Sequence, residues 1–357
     1  MRRKYLALLA SIICGSAGCS ETAPPEWPKE CVGRLQLALP GEADQGAYLF
    51  KDLIVDREKY GGWASTVFFD GQHDGWTAFS ISHITHPLTH PEKQLVAREF
   101  QKIVDRATKF HKSKVVFLPV NKQHGQAWAV TNRDIGLDVI VNDSVFLWGN
   151  ATSSDTEFVL AKEKLNRLIN GLRPRTLFDV PSEPGLCLPY VFIPDGGQEK
   201  HAIAMTYRLK EHPDITVNLK SETAKATPKA GADIRQDSVT NDFRTDTFWG
   251  TVTAPGNLKS ARSIWHLPAR QSIQLAGCPG QETFLAVVRN DSAEEDYIYL
   301  SVARGNPDAP EAAPDIRFFV EQQRENAIKR GITPLTQDEV LKLARQIAAS
   351  VGPRQGK

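Results

Sequence analysis

The sequence predicts an α+β fold made of two related domains, each an antiparallel sheet with helices packed on it. Three observations support this prediction. Short runs in which apolar and polar residues alternate occur through most of the chain and are typical of half-buried strands. A capped amphipathic helix ends each half of the chain. The length of 357 residues, at about 150 residues per domain, favours two domains over one.

The start of the chain has the composition of an export signal. Basic residues at positions 2–4 precede an apolar run of about ten residues, which is long enough for a signal-peptide core and too short to span a membrane. Small residues then lead into Cys19 and resemble the lipobox of bacterial lipoproteins, so we expect a signal peptide over residues 1–18 and acylation of Cys19. Ser20 resembles an outer-membrane sorting signal, which favours an anchored periplasmic lipoprotein. Ordinary cleavage near the same residues is the alternative.

The rest of the chain divides into two halves of similar plan. Residues 19–30 are polar and rich in proline and are predicted to form a tether. Cys31 opens an apolar strand at the start of residues 31–175, the predicted N-terminal domain. Cys187 opens a similar strand near the start of residues 184–354, the predicted C-terminal domain. The repetition favours a duplication, and chance similarity of two common patterns is the alternative.

Helix signals also recur in the two halves. Ser154 and Thr336 each lie three residues before a glutamate, which predicts a capping box at the start of a helix. The apolar residues behind each cap recur every three or four positions, so each helix is expected to lay one face on a core. Two further helices are predicted over residues 89–111 and 315–330.

Apolar alternation predicts the remaining strands. In the first half they are expected at residues 47–55, 63–69, 76–81, 115–120, 126–131 and 137–148. In the second half they are expected at residues 202–209, 215–220, 248–252, 263–267, 283–288 and 297–302. Asp-Gly pairs between two of the first-half segments are suited to a hairpin connection.

The cysteines allow one internal disulfide at most. If Cys19 is acylated, Cys31, Cys187 and Cys278 remain in an oxidising compartment. We predict that Cys187 pairs with Cys278, because both lie in the second half. Three buried free thiols are the alternative, since free cysteine is among the most buried residue types.

Charge and motifs exclude several classes of function. Lys and Arg number 43 against 42 Asp and Glu, and removal of the three basic leader residues leaves 40 against 42. The chain therefore lacks the positive field that nucleic-acid binding requires. It has no nucleophile elbow, phosphate-binding loop, dinucleotide fingerprint, C-x-x-C or H-E-x-x-H. We expect no catalytic residue, no cofactor and no nucleic-acid partner.

Three histidines are candidate metal ligands. His83, His86 and His90 are close enough in sequence to bind zinc if their side chains converge. Pro87 and Pro91 interrupt the segment, so no regular helix aligns the three side chains. Loop and cap histidines, without a metal site, are therefore predicted.

The openings of the two halves carry a family resemblance. The Cys-Val-Gly-Arg strand at Cys31, ending at Pro40, and the Gly-Leu-Cys strand at Cys187 resemble the immunity proteins that accompany class 4 lipase effectors of the bacterial type VI secretion system. The resemblance extends from Cys31 to about Pro353. It implies a protein that is not an enzyme and that inhibits a cognate lipase effector in the periplasm. Both domains would grip the effector and cover its lid and active-site entrance.

Two alternatives remain beside this resemblance. One is an envelope lipoprotein that carries lipid or has a structural role, and the other is an envelope hydrolase without a local motif. For the immunity protein that the resemblance implies, membrane contact is expected only through the lipid anchor.

The residues themselves suggest where a partner would bind. We expect contacts in two exposed loops, with Asp70, His73 and Asp74 in the first and Asp242 and Arg244 in the second. Plain turns and solvated surface are the alternative for each of these residues.

Overall fold

The computed structural model describes residues 22–354 except 57–63, 75, 112–114, 119, 121–124, 131–133, 198, 230–238, 253–260, 266–269, 290–293 and 311. The predicted signal peptide and Cys19 lie outside the described residues. Within those residues the protein is built of antiparallel sheets with a few helices, which confirms the predicted α+β class. None of the helices in the described ranges is long and apolar enough to cross a membrane.

Among the described residues, strand lengths range from two to eight residues in the first half and from two to twelve in the second. The first half contains β1 (Lys29–Val32), β2 (Leu35–Ala38), β3 (Ala43–Gln45), β4 (Ala47–Tyr48), β5 (Thr66–Val67), β6 (Ala78–Phe79), β7 (His83–Ile84), β8 (Val115–Leu118), β9 (Gly125–Val130), β10 (Asp134–Val141), β11 (Ser144–Ala151) and β12 (Arg173–Pro174). The second half contains β13 (Gly185–Leu188), β14 (Val191–Pro194), β15 (Ala202–Leu209), β16 (Ile215–Glu222), β17 (Ala261–Trp265), β18 (Gln271–Leu275), β19 (Cys278–Arg289), β20 (Glu295–Ala303), β21 (Asp315–Gln322) and β22 (Gly352–Pro353).

The helices pack on these strands. They are α1 (His90–His111), α2 (Asp155–Gly171), α3 (Asn241–Val252), α4 (Arg324–Lys329) and α5 (Gln337–Ser350), and a π-helical segment covers Lys51–Val55. Helix α1 contacts β8 and β9, and α2 contacts β10 and β14. Helix α3 contacts β20, and α5 contacts β20, β21 and β2.

The largest sheet unites strands from both halves. Its order is β17–β19–β20–β21–β16–β15–β3, with β18 added to β19 and β6 added to β15. A second sheet has the order β7–β11–β10–β9–β8, and two three-stranded sheets have the orders β1–β2–β22 and β12–β14–β13. Because β3 and β6 come from the first half of the chain and pair with β15 of the second, the core is continuous across the halves.

Both capped helices begin where the sequence predicts. At α5 the Thr336 hydroxyl accepts the Glu339 N–H at 3.4 Å, and the Glu339 carboxylate accepts the Thr336 N–H at 2.8 Å, which completes a capping box. At α2 the Ser154 hydroxyl accepts the Glu157 N–H at 3.3 Å, while the Glu157 carboxylate turns to Ser153 instead. The predicted helix over residues 89–111 is also present, as α1.

Three predicted elements have the wrong type. Residues 47–55 were expected to form a strand, but only Ala47–Tyr48 do so, and Lys51–Val55 are π-helical. Residues 315–330 were expected to be helical, but Asp315–Gln322 form β21 in the interior of the large sheet and only Arg324–Lys329 are helical. A strand that is buried on both faces loses the alternation by which strands are recognised. Residues 248–252 were expected to form a strand, but they end α3, because packing on β20 overrides a weak local preference.

The two three-stranded sheets are built alike, and they exchange strands. The bounds of β13 and β14 are those of β1 and β2 displaced by 156 residues. The strand that follows α2 in the first half, β12, pairs with β14 of the second half. The strand that follows α5, β22, pairs with β2 of the first half. Each half therefore completes the other's opening hairpin, which supports a duplication. The domain boundary between residues 175 and 184 stays a prediction, because each half contributes a strand to a sheet of the other half.

The disulfide joins equivalent positions of the two hairpins. Cys31 is bonded to Cys187, with their Cα atoms 5.8 Å apart, so the predicted Cys187–Cys278 pair is wrong. Cys278 is a free, half-buried thiol at the start of β19, in a different sheet. Gly33 and Cys187 exchange two backbone hydrogen bonds of 2.9 Å, and this bridge between the hairpins determines the pairing. Gly33 has φ +56°, and a Cβ there would lie 3.0 Å from the Cβ of Ser221.

A buried histidine lies beside this junction and makes stability depend on pH. The Nε2 atom of His201 lies 2.9 Å from the Ser221 hydroxyl. Burial and the nearby Arg34 charge lower the pKa of His201 to about 4, from an ordinary value near 6.5. The folded protein therefore keeps His201 neutral, while the unfolded chain takes up a proton below about pH 6.5. The contribution is present above pH 6.5 and is lost as the pH falls towards 4.

We expect His201 to lower the free energy of unfolding by about 2 kcal/mol between pH 7 and pH 5. Urea unfolding at a series of pH values measures this slope. The His201→Gln variant, which cannot titrate in this range, should lose less stability between the two pH values than the wild type. Equal slopes for the two proteins would show that His201 titrates normally in the folded state.

Candidate partner-recognition surface

The segment between β5 and β6 carries the first group of predicted contacts. The Asp70 carboxylate accepts a hydrogen bond from Arg208 at 3.0 Å and lies 3.8 Å from Arg330. Burial opposes ionisation of Asp70, but the Gln72 N–H and the Arg208 guanidinium outweigh it and lower the pKa of Asp70. His73 is exposed, and its backbone forms a bridge with β5. Asp70 and His73 are therefore exposed to solvent, in a segment that is fixed by the Arg208 hydrogen bond and by the backbone bridge to β5.

Asp74 lies inside the protein instead of at the surface. It is 8% exposed, and its Oδ1 atom accepts hydrogen bonds from the Thr66 hydroxyl at 2.9 Å and from the N–H groups of Trp76 and Thr77 at 2.8 and 2.9 Å. These bonds hold the turn in shape, as aspartate commonly does. The prediction of an exposed contact at Asp74 is wrong for this reason, and Asp74 positions its neighbours instead.

The second predicted loop is the first turn of a helix. Asp242 is exposed on α3 and accepts a hydrogen bond from Arg270 at 2.8 Å, and Asp246 one turn later accepts another from the same arginine. Arg244 points the other way, lies 2.7 Å from the buried Asp315, and donates to a backbone carbonyl of β20 at 3.0 Å. Asp242 is thus available at the surface, while Arg244 is engaged by the sheet.

The two segments meet through aromatic rings. Trp76, two residues after Asp74, stacks on Phe248 of α3 with the ring centroids 5.6 Å apart and the planes 26° apart. Trp76 also meets Phe319 of β21 edge-on at 4.8 Å. The first-half segment and α3 therefore form one continuous surface, although they are far apart in sequence.

A cavity of about 270 Å³ opens beside these rings, between α3 and the strands β16, β20 and β21. We call it the junction cavity, because Trp76 of the first half and α3 of the second both line it. Its other lining side chains include Lys220, Lys225, Arg244 and Arg317. The cavity combines aromatic walls with several cations, an arrangement suited to binding a group that is partly apolar and negatively charged.

Two features of this surface escaped prediction. Trp76 begins the strand predicted at 76–81, but it lies outside β6, is half-buried and lines the cavity. Phe69, at the end of another predicted strand, is 64% exposed beside Asp70. Its position directly before an Asp-Gly turn was the one available signal of exposure. No local pattern signals that Trp76, Phe248 and Arg317 converge.

The three histidines considered as zinc ligands occupy separate places. His86 is buried, and its Nε2 atom lies 2.7 Å from the Val67 carbonyl, while burial lowers the pKa of His86. His83 meets the ring of Tyr48 edge-on at 5.2 Å, and His90 is exposed at the first residue of α1. Within the part of the chain that the structure describes, no three His, Cys, Asp or Glu side chains are placed to hold a metal ion.

Solved structures share this architecture. The apo immunity protein TplEi of the type VI secretion system of Pseudomonas aeruginosa is similar over 93% of this chain and 98% of its own, with a TM-score of 0.54 and 18% identity. TplEi complexed with "L" peptide is similar over 92% and 98%, with a TM-score of 0.54 and 18% identity. The Tle4–Tli4 complex contributes a chain similar over 93% and 98%, with a TM-score of 0.54 and 17% identity. The protein thus has the fold of type VI immunity proteins.

The sequence itself supplies the family. Residues 179–356 match the family model described as the Tle cognate immunity protein 4 C-terminal domain. This chain belongs to the Tle cognate immunity protein 4 family, which confirms the resemblance noted at the openings of its two halves. A comparison with curated proteins gave no match.

Proposed function

We propose that this protein is an immunity protein that binds a type VI secreted lipase effector in the periplasm and inhibits it by covering its lid and active-site entrance. The observation that carries the proposal is the family match over residues 179–356. The fold supports it, because the similarity to an immunity protein and to the Tle4–Tli4 complex extends over both halves of the chain. An inhibitor of this kind acts by occupying a surface and has no reaction of its own to catalyse.

The way in which the halves are joined supports binding by both of them. The exchanged strands β12 and β22 and the Cys31–Cys187 bond hold the two halves together. Arg34 in the first hairpin adds two hydrogen bonds to Asp195, of 3.0 and 2.6 Å, just after the second hairpin. A surface that is already ordered loses less entropy on binding, so both halves can contribute contacts at a lower cost.

The location in the periplasm is supported by chemistry at two places. A buried disulfide is expected to form and persist in an oxidising compartment, such as the periplasm. The predicted signal peptide would deliver the chain there, and acylation at Cys19 would anchor it to the outer membrane through residues 19–30 as a tether. Mass spectrometry of the mature N-terminus tests the anchor, and an unmodified terminus near Ser20 would exclude it.

Within the surface described above, we propose that three of the predicted contacts touch the partner. Asp70, His73 and Asp242 are exposed, and Phe69, next to Asp70 in the chain, offers the kind of aromatic side chain that often dominates binding energy. Asp74 and Arg244 are expected to act through their neighbours, since both are engaged within the protein.

The direct test mixes this protein with its cognate type VI lipase effector. We expect the two to co-elute and hydrolysis of phospholipid vesicles to fall in proportion to the amount of immunity protein added, reaching its minimum near a 1:1 ratio. A phospholipase from an unrelated family, assayed in parallel, should keep its activity. The proposal is wrong if the pair does not associate and the lipase keeps full activity at stoichiometric mixing.

A further inference from the structure

The walls of the junction cavity place a cation against aromatic rings. The Arg317 guanidinium of β21 lies 5.4 Å from the centre of the Trp76 ring and 5.8 Å from the centres of the Phe248 and Phe319 rings. Aromatic faces attract a cation, but they leave its hydrogen-bond donors unused. Arg317 is therefore held firmly in place with donors to spare.

Positive charge exceeds negative charge around the cavity. Among the residues that the structure describes, four cations and two carboxylates line it, an excess of two. The cations are Lys220, Lys225, Arg244 and Arg317, and the carboxylates are Glu222 and Asp315. Glu222 pairs with both lysines, at 2.6 and 2.7 Å, and Asp315 pairs with Arg244 at 2.7 Å. Burial disfavours the Glu222 anion, but hydrogen bonds from the two lysines outweigh it and lower the pKa of Glu222 to about 2.

Arg317 is the cation that these pairs leave without a partner. Its Nε atom is buried and has no hydrogen-bond partner, and within the described residues no carboxylate forms an ion pair with its guanidinium. Burial lowers the pKa of Arg317 to about 10, so it is still charged at neutral pH. A partly desolvated cation of this kind gains most from an anion that arrives from outside.

We propose that the junction cavity is an anchor pocket for an acidic side chain of the bound effector, whose carboxylate binds Arg317 while its methylene groups pack against the Trp76 ring. This inference rests on the proposed function. The position of the cavity favours a protein partner as the source of the carboxylate. It lies where Trp76, just after the Asp70–Asp74 segment, meets α3, so a partner that contacts both of these segments is close enough to reach it.

Replacement of Arg317 by glutamine tests the pocket. Loss of one member of a desolvated charge pair is expected to raise the dissociation constant of the effector complex at least ~30-fold, mainly through faster dissociation. Arg317→Lys should recover part of the affinity, because it restores the charge. The matched control is Arg167→Gln, which removes an exposed arginine of α2 that pairs with Glu199 at 2.9 Å, and this change should alter the constant less than threefold.

A second variant tests the pocket while keeping Arg317, so that the test does not depend on the folding of Arg317→Gln. Thr247 is exposed on α3 and lines the cavity, so Thr247→Glu offers Arg317 a carboxylate from within the protein. This variant should fold with at least wild-type stability in urea and bind the effector at least ~10-fold more weakly, while Thr247→Gln should bind as the wild type does.

A double-mutant cycle identifies the acidic residue of the effector that binds Arg317. Among alanine variants of the effector's exposed Asp and Glu residues, one should weaken binding to wild-type protein and have little further effect on Arg317→Gln. If wild-type protein binds the effector but the Arg317 and Thr247 variants bind equally well, the pocket does not hold the effector, even if it takes up a free carboxylate. If wild-type protein does not bind at all, the proposed function itself fails.

Discussion

Replacing both Cys31 and Cys187 by alanine is expected to lower the free energy of unfolding by about 5 kcal/mol, the largest effect we expect from removing any single contact. The two cysteines are 156 residues apart, so their bond closes a loop that contains nearly the whole first half of the chain. A longer closed loop removes more conformational entropy from the unfolded chain. Urea unfolding of wild type and variant under oxidising conditions measures the difference.

The free thiol supplies the matched control. Cys278→Ala removes a half-buried sulfur without opening a disulfide, so it should leave the unfolding midpoint close to that of the wild type. Reduction with dithiothreitol should destabilise wild type and Cys278→Ala alike and leave the Cys31→Ala/Cys187→Ala variant unaffected. If Cys278→Ala instead behaves like the double variant, the pairing in the folded protein is not Cys31 with Cys187.

Glu30→Gln is expected to cost about 3–5 kcal/mol of stability. Glu30 in β1 lies 2.5 Å from Arg175, and their side chains are 0% and 1% exposed. The Glu30 carboxylate also accepts the backbone N–H groups of Cys31 and Phe178. Neutralising Glu30 leaves the Arg175 charge buried without a counter-charge, and that penalty dominates the effect.

The stability of a second variant distinguishes the loss of a buried counter-charge from a simple loss of packing. The double variant Glu30→Leu/Arg175→Met removes both charges, so it should be more stable than Glu30→Gln although it alters more atoms. Glu42→Gln, which breaks an exposed pair with Lys210 at 2.7 Å, should leave the urea midpoint unchanged. A double variant that is less stable than Glu30→Gln would mean that the hydrogen bonds, not the buried charge, account for the loss.

The largest effects are expected at one place because the two halves are locked together there. The ion pair, the disulfide and the exchanged strands β12 and β22 all lie where the opening hairpins meet. The resulting assembly carries the Asp70–Asp74 segment and α3 on one surface. A binding protein that grips an effector with both halves would benefit from this arrangement, since neither half has to be oriented during binding.

Local signals in the sequence predicted much of the fold. Ser154 and Thr336 revealed the starts of α2 and α5, because the hydrogen bond from the N3 backbone N–H to the capping hydroxyl needs only neighbours within one turn. The predicted strand at 202–209 has the bounds of β15, because the pattern that identifies the strand and the residues that end it lie within one short segment. β21 and α3 were predicted wrongly, because packing against distant strands decided their conformation.

For the candidate site, the sequence located the segments but not the surface they form. Exposure of Asp70 and His73 followed from their place in a turn, whereas burial of Asp74 depended on hydrogen bonds that formed only in the folded loop. The meeting of Trp76, Phe248 and Arg317 depends on the order of strands in the large sheet, which no local pattern encodes.

The sequence by itself determined the α+β class, the capped helices, the repetition of Cys31 and Cys187 and the family to which the chain belongs. Each of these is encoded by residues that lie close together in the chain or by a motif that recurs in it. Only the tertiary structure decided which cysteines pair, which strands cross between the halves and which side chains line the junction cavity. These outcomes depend on contacts between residues far apart in sequence, and such contacts are selected by the total free energy of the folded chain.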